Sequence, residues 1–223
     1  MYTLYIGNKN FSSWSLRAWA LLRQAGIPFR EQMVSLYAPE RAARIRAVSP
    51  NARVPCLHDG DTVVWDTLAI AEYLAERHGG LWPAAPSARA WARCATAEMH
   101  SGFADLRNEF SMDLRLRQTL QPGVGAAADI ARISALWNEG RARFGGSGDF
   151  LCGAFGIVDA FWCPVAFRFR GYGVTLTGPA LAYQQALLTL PAMVEWADAA
   201  ALEREGPGPD YQATTAPGAS PRP

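Results

Sequence analysis

The chain has 223 residues, is 50% hydrophobic, and carries a formal net charge of +1 from 21 Lys and Arg against 20 Asp and Glu. That length and apolar content suffice for a packed core in one large domain or two smaller ones. The near-zero charge, with no cluster of basic residues, excludes the broad electrostatic footprint of a nucleic-acid binder.

Residues 2–6 read as a short strand and 13–25 as a helix, with Leu16, Trp19, Ala20 and Leu22 toward one side and Gly26 as its stop. A second strand suits 29–36 after Pro28, and a short helix follows around 39–47. Val54-Pro55-Cys56-Leu57 then opens a strand-like run, Asp59-Gly60-Asp61 signals a hairpin, and Val63-Val64-Trp65 is the returning strand. A helix from about 66 to 78 ends at Gly79-Gly80. This order of strands and helices predicts an α/β layer over residues 1–80.

Trp82-Pro83-Ala84-Ala85-Pro86-Ser87 reads as a proline-rich linker, with its bounds set at 81–87. Beyond it almost every periodic stretch is helical, over about 87–109, 126–144, 157–170, 179–189 and 191–203, which predicts an all-α domain at 88–203. The segment 204–223, rich in Pro, Gly, Thr and Ala from Gly206 onward, is expected to be a loose tail. Phe150 to Phe167 is apolar except for Asp159; a mid-span carboxylate costs about 2.5–3.5 kcal/mol in a bilayer, so this is expected to be a buried helix and not a membrane span. Cys56, Cys94, Cys152 and Cys163 lack a Cys-x-x-Cys or metal-ligand spacing, and no signal-like segment opens the chain, so a reduced, cytoplasmic setting without bound metal is expected. His58, His78 and His100 lie too far apart to suggest a metal set.

A proline inside a strand-like run belongs at an edge, a bulge or a cis turn, because it removes a ladder donor. Val54 would then keep its backbone free to pair with an extended peptide, while Asp66 and Thr67 at the start of the next helix meet the peptide's charged end.

The Val54-Pro55 turn, the Asp66-Thr67 pair opening a helix, and Ser12-Ser13-Trp14-Ser15-Leu16-Arg17 after the first strand together resemble the glutathione transferases, and the serine pair resembles their zeta-like, maleylacetoacetate isomerase-related branch. The resemblance reaches to about residue 203. It implies a thioredoxin-like α/β domain followed by an all-α domain, glutathione as co-substrate, a small electrophilic second substrate and a homodimer. It also implies a cis-proline at Pro55 that presents Val54 to the cysteinyl backbone, with Asp66 and Thr67 on the γ-glutamyl end. Trp14 stands where the zeta-like motif has cysteine, and Thr67 where serine is commoner.

Glutathione chemistry needs the sulfur as thiolate, whereas a free thiol has a pKa of about 8.5. A hydroxyl donating to that sulfur contributes about 1.5–3 kcal/mol, which shifts the pKa by roughly one to two units. Ser12 and Ser13 are the candidates, aided by the helix N-terminus and by Arg17 one turn in; either serine could instead simply cap the helix. Arg53 is a candidate for the glycyl carboxylate. Met99, His100, Phe103, Phe110 and Met112 are candidates to line an acceptor pocket, or else plain helical core. Gly156-Ile157-Val158-Asp159 resembles the family's buried capping box with glycine where Ser or Thr usually stands, so half of the reciprocal bonding is expected to be missing. A thiol-disulfide oxidoreductase would need a cysteine at the first helix, and none precedes Cys56. A non-catalytic binding or assembly module on the same fold is the alternative.

Overall fold

A computed structural model describes residues 1–207. Strand β1 (Tyr2–Ile6) leads through a short loop into α1 (Ser13–Gln24), followed by β2 (Phe29–Met33), α2 (Arg41–Val48), β3 (Cys56–Asp59), β4 (Thr62–Trp65) and α3 (Thr67–Arg77). The sheet order is β2-β1-β3-β4, with β1 and β2 parallel and the two other pairs antiparallel. Residues alternate buried and half-buried along β1, so Tyr2, Leu4 and Ile6 face the core. β2 is shorter than the pattern 29–36 suggests, and its outer residues are mostly exposed, as befits an edge strand. Cys56 begins β3, so Val54 and Pro55 precede the ladder instead of standing in it.

The second half is helical: α4 (Pro86–Ser101), α5 (Ala104–Glu109), α6 (Val124–Phe144), α7 (Ile157–Gly171), α8 (Gly178–Thr189) and α9 (Pro191–Leu202). The single helix expected over 87–109 is broken in two. Gly102 caps α4 where a Cβ would meet the Glu98 carbonyl oxygen at 2.7 Å, and Phe103 follows at φ +58 in the left-handed region, which no helix continues through. Of the fifteen residues of α7 only Arg170 is not buried, and Trp19, Trp137, Trp162 and Trp196 fill the core around α1, α6, α7 and α9. Asp159 at the start of α7 accepts hydrogen bonds from the Leu151 and Gly156 amides and the Tyr183 hydroxyl, at 3.1, 2.9 and 2.9 Å. The carboxylate half of the capping box is thus in place, and glycine supplies no hydroxyl for the other half. Burial pushes Asp159 up to about 6 against the pull of those bonds.

Most of the segment expected to be a loose tail lies outside the described residues. Its beginning is held: the Glu205 carboxylate accepts from Asn8 Nδ2 at 3.3 Å and from the Ser35 hydroxyl. Among the described residues no helix is long and apolar enough to cross a membrane, and no three His, Cys, Asp or Glu side chains group as metal ligands.

Candidate active site

The loops at the ends of β1, β2 and α2, together with the N-termini of α1 and α3, enclose a cavity of about 470 Å³, within the usual size of a small-ligand cleft. Ser12, Ser13, Arg53, Val54, Pro55, Asp66 and Thr67 all line it, so residues from three separate stretches of sequence are brought to one concavity. Phe11, Trp14, Leu36 and Ile45 add apolar wall.

The two serines are held differently. Ser12 is the N-cap of α1: its oxygen accepts from the Ser15 amide at 3.3 Å, and its hydroxyl donates to Ser15 Oγ at 2.8 Å, which also accepts from the Gly7 amide at 3.0 Å. Its proton is committed to the loop's own geometry. Ser13, the first residue of α1, instead accepts from Arg168 Nη2 of α7 at 3.2 Å, and among the described residues its proton has no acceptor. Both serines are buried to 7% exposure, so Ser13 can donate only to something that enters the cavity.

Arg17 lies one turn beyond Ser13 on the same face of α1, fully buried, with its guanidinium 4.2 Å from the centre of the Trp14 ring and 5.1 Å from that of Phe161. Among the described residues its Nε and Nη1 have no hydrogen-bond partner, nor does Nε of Arg168. Burial, and then the neighbouring Arg107 and Arg168, push Arg17 down to about 9; burial holds Arg168 down to about 10. Both stay cationic at neutral pH. Asp66 offsets Arg17 only from beyond ion-pair distance, and burying cations without a close partner is costly, so the wall behind Ser13 favours an anion.

The Val54–Pro55 peptide bond is cis, and the Val54 amide and carbonyl bond to nothing among the described residues. Asp66 caps α3 by accepting from the Leu68 amide at 2.8 Å and sits at φ +74, a left-handed conformation that costs a non-glycine residue about 1–3 kcal/mol. Thr67 is buried beside it. Arg53 is exposed, and its guanidinium forms no ion pair among the described residues.

Of the five acceptor-pocket candidates, Met99, Phe103, Phe110 and Met112 are buried in the helical core, with Phe110 stacked on Tyr172 at 4.4 Å, and none of the four lines this cavity. His100 alone of the five reaches the site, with Nδ1 3.5 Å from Thr67 Oγ1 and Nε2 3.5 Å from Asp66 Oδ2, its ring edge-on to Trp14. Burial holds its pKa below the usual value, Asp66 pulling the other way and Arg17 and Arg107 adding to the depression. Sequence reading did not find Arg168. It meets Ser13 across 155 residues of chain, and a lone arginine inside an apolar helix carries no local signal of such a partner.

The sequence model described as "Glutathione S-transferase, N-terminal domain" matches residues 11–77. A probable maleylacetoacetate isomerase of Caenorhabditis elegans is 31% identical over 107 residues, which is 47% of this chain and 49% of that protein, so the match spans about half of the relative. A stringent starvation protein A homolog of Haemophilus ducreyi is 22% identical over 161 residues, 71% of each chain. Among solved structures, a glutathione transferase homolog from a Burkholderia, with bound glutathione, superposes with a TM-score of 0.66 at 21% identity, over 90% of this chain and 97% of that one. The four-stranded sheet, the helical second half and the structural likeness agree: the chain has the glutathione transferase fold, and residues 11–77 are similar to the glutathione S-transferase N-terminal domain.

Proposed function

We propose that the protein binds glutathione in the cavity at the ends of β1 and α3, stabilises its thiolate with a serine hydroxyl, and directs that sulfur to a small electrophile. The observation that carries this reading is the convergence of a free Val54 backbone, the Asp66–Thr67 pair and an uncommitted Ser13 proton on one cavity. Val54 would pair with the cysteinyl backbone as an added strand. Asp66 and Thr67 would meet the γ-glutamyl ammonium and carboxylate, and Arg53 the glycyl carboxylate.

Ser13 is the better thiol donor of the two. Arg168 already donates to its oxygen, which makes the hydroxyl proton more acidic and leaves it free, whereas Ser12 spends its proton on Ser15. The buried cations of Arg17 and Arg168 and the N-terminus of α1 add positive potential in the same place.

The same cations favour one outcome over simple conjugation of an apolar compound. An electrophile bearing its own carboxylate, such as a maleyl-type cis-alkene, would be drawn by the positive potential that Arg17 and Arg168 add behind Ser13. Thiolate addition, bond rotation and elimination would then give cis-trans isomerisation, in keeping with the likeness to a probable maleylacetoacetate isomerase. The working assembly is a cytoplasmic homodimer. Its support is the exposed apolar face of β4 and α3, where Val63, Trp65, Leu68 and Ala69 border a cavity of about 660 Å³ and Trp65 is 43% exposed.

Titration of the protein with glutathione, followed by calorimetry and by the ultraviolet absorbance of the bound thiolate, tests the reading. A panel of electrophiles with and without a carboxylate, assayed with and without glutathione, separates isomerisation from conjugation. Failure to bind glutathione would leave a binding or assembly module; binding without ionisation would remove the serine from the chemistry.

A further inference from the structure

The loop that delivers the serines, residues 7–12, is held from the far end of the chain. Asn8 and Asn10 are buried to 1% and 0% exposure, so the backbone groups around them need partners within the protein. The amides of Lys9 and Asn10, two in succession, both donate to the Glu203 carboxylate, at 2.5 and 3.0 Å. The Lys9 carbonyl accepts from the Trp196 indole at 2.9 Å. Glu205 takes hold of Asn8 and Ser35, while Asn8 Oδ1 accepts from the Leu36 amide at 2.8 Å. Arg115, from the loop after α5, donates to the carbonyls of Ala200 and Glu203 and so grips the clasp from the other side. The β1–α1 and β2–α2 loops, which supply one wall of the cavity through Phe11, Ser12 and Leu36, are therefore tied together by carboxylates that follow α9.

We infer that Glu203 is a positioning residue for the thiol-activating serines: by holding the Lys9 and Asn10 amides it sets where the β1–α1 loop places Ser12 and Ser13. This inference rests on the reading of the cavity as a glutathione site. Glu203 touches neither serine nor cavity, and its effect passes through the loop backbone. A carboxylate suits the task because its two oxygens accept from two successive N–H groups, which a single hydroxyl or carbonyl would do with poorer geometry. Displacing a reacting group by about 1 Å lowers rates by up to about a hundredfold, so a loop freed at Lys9 and Asn10 would be felt at the sulfur.

The test uses the full chain with Glu203→Ala and Glu203→Gln. In the free protein, amide exchange at Lys9 and Asn10 should accelerate at least about tenfold in Glu203→Ala, with a smaller change in Glu203→Gln, which keeps one acceptor oxygen. With glutathione, kcat should fall about tenfold and the bound thiol should ionise at higher pH, while KM for glutathione stays within about twofold because Val54, Asp66 and Thr67 are untouched. Unchanged exchange at the two amides would overturn the inference, since the clasp would not be holding the loop. Faster exchange with unchanged kcat and thiol ionisation would overturn it too, reducing Glu203 to a structural tie. Absence of glutathione binding in the wild type would instead count against the functional reading, and the exchange result would still decide whether Glu203 holds the loop.

Discussion

At the scale of single residues, the two adjacent serines differ because of what lies behind them. On the proposed reading, Ser13→Ala removes a donor to the thiolate worth about 1.5–3 kcal/mol and should raise the bound thiol's pKa by about one to two units, lowering kcat/KM roughly ten- to a hundredfold near pH 6.5. Ser12→Ala removes a helix cap and should cost about 1 kcal/mol of stability, with a smaller effect on the thiol. Spectrophotometric titration of the bound sulfur in the two variants checks the order, and a larger thiol shift in Ser12→Ala would reverse the assignment. His100 gives the site a pH dependence. Its folded pKa lies below the ordinary 6.5, chiefly through burial, so its stabilising contribution is present above pH 6.5 and is lost as pH falls from there through the lower folded value. Once protonated, it pairs with Asp66 at 3.5 Å and, on the proposed reading, competes with the ammonium of glutathione, with Arg17 and Arg107 the other charges facing it. Glutathione affinity should therefore weaken on acidification below about pH 6.5, and His100→Gln should flatten that loss. Calorimetry across that range measures both.

Among the elements, α7 links the site to the core. Its N-terminus is fastened by Asp159 and its last turn sends Arg168 to Ser13, so one buried helix carries both contacts. Asp159→Asn places an amide N–H against one of the three donors that the carboxylate now accepts from, and should lower stability by about 1–3 kcal/mol. The pH dependence has a definite sign. Asp159 titrates at about 6 in the folded protein and 3.8 ordinarily, so its contribution is full below 3.8 and declines as pH rises through about 6. Because asparagine does not ionise, the stability gap between wild type and variant should narrow between pH 4 and pH 7. Denaturant titrations at several pH values measure it, and a gap that widens would contradict this account of the buried carboxylate.

For the whole molecule, the surface carries an apolar face on β4 and α3. Trp65 is 43% exposed on an apolar face that includes Val63 and Leu68, and Asp66 lies at the border of this face and of the ligand cavity. If a second copy covers it, Trp65→Glu should shift the protein from dimer to monomer and weaken glutathione binding along with it, since the cap of α3 would lose its neighbour. Light scattering at several concentrations reads the first effect and calorimetry the second. A wild type that is monomeric at all concentrations would remove the dimer from the proposed function.

Local spacing alone determined the order of strands and helices, the placement of Val54-Pro55 and Asp66-Thr67 at element boundaries, and the burial of the helix around Asp159, because each is written in residues within a turn or a hairpin of one another. It misjudged the break at Gly102-Phe103, where amphipathic periodicity continues across a left-handed residue. Met99, Phe103, Phe110 and Met112 looked equally suited to a pocket or a core, because helical periodicity marks a buried face without saying what is buried against it. Tertiary structure buried all four away from the serine cavity, and it alone brought Arg168 to Ser13 across 155 residues and Glu203 to Asn10 across 193. Such pairings leave no periodic trace in the chain: one charged side chain and one loop amide meet only after the core has folded around them.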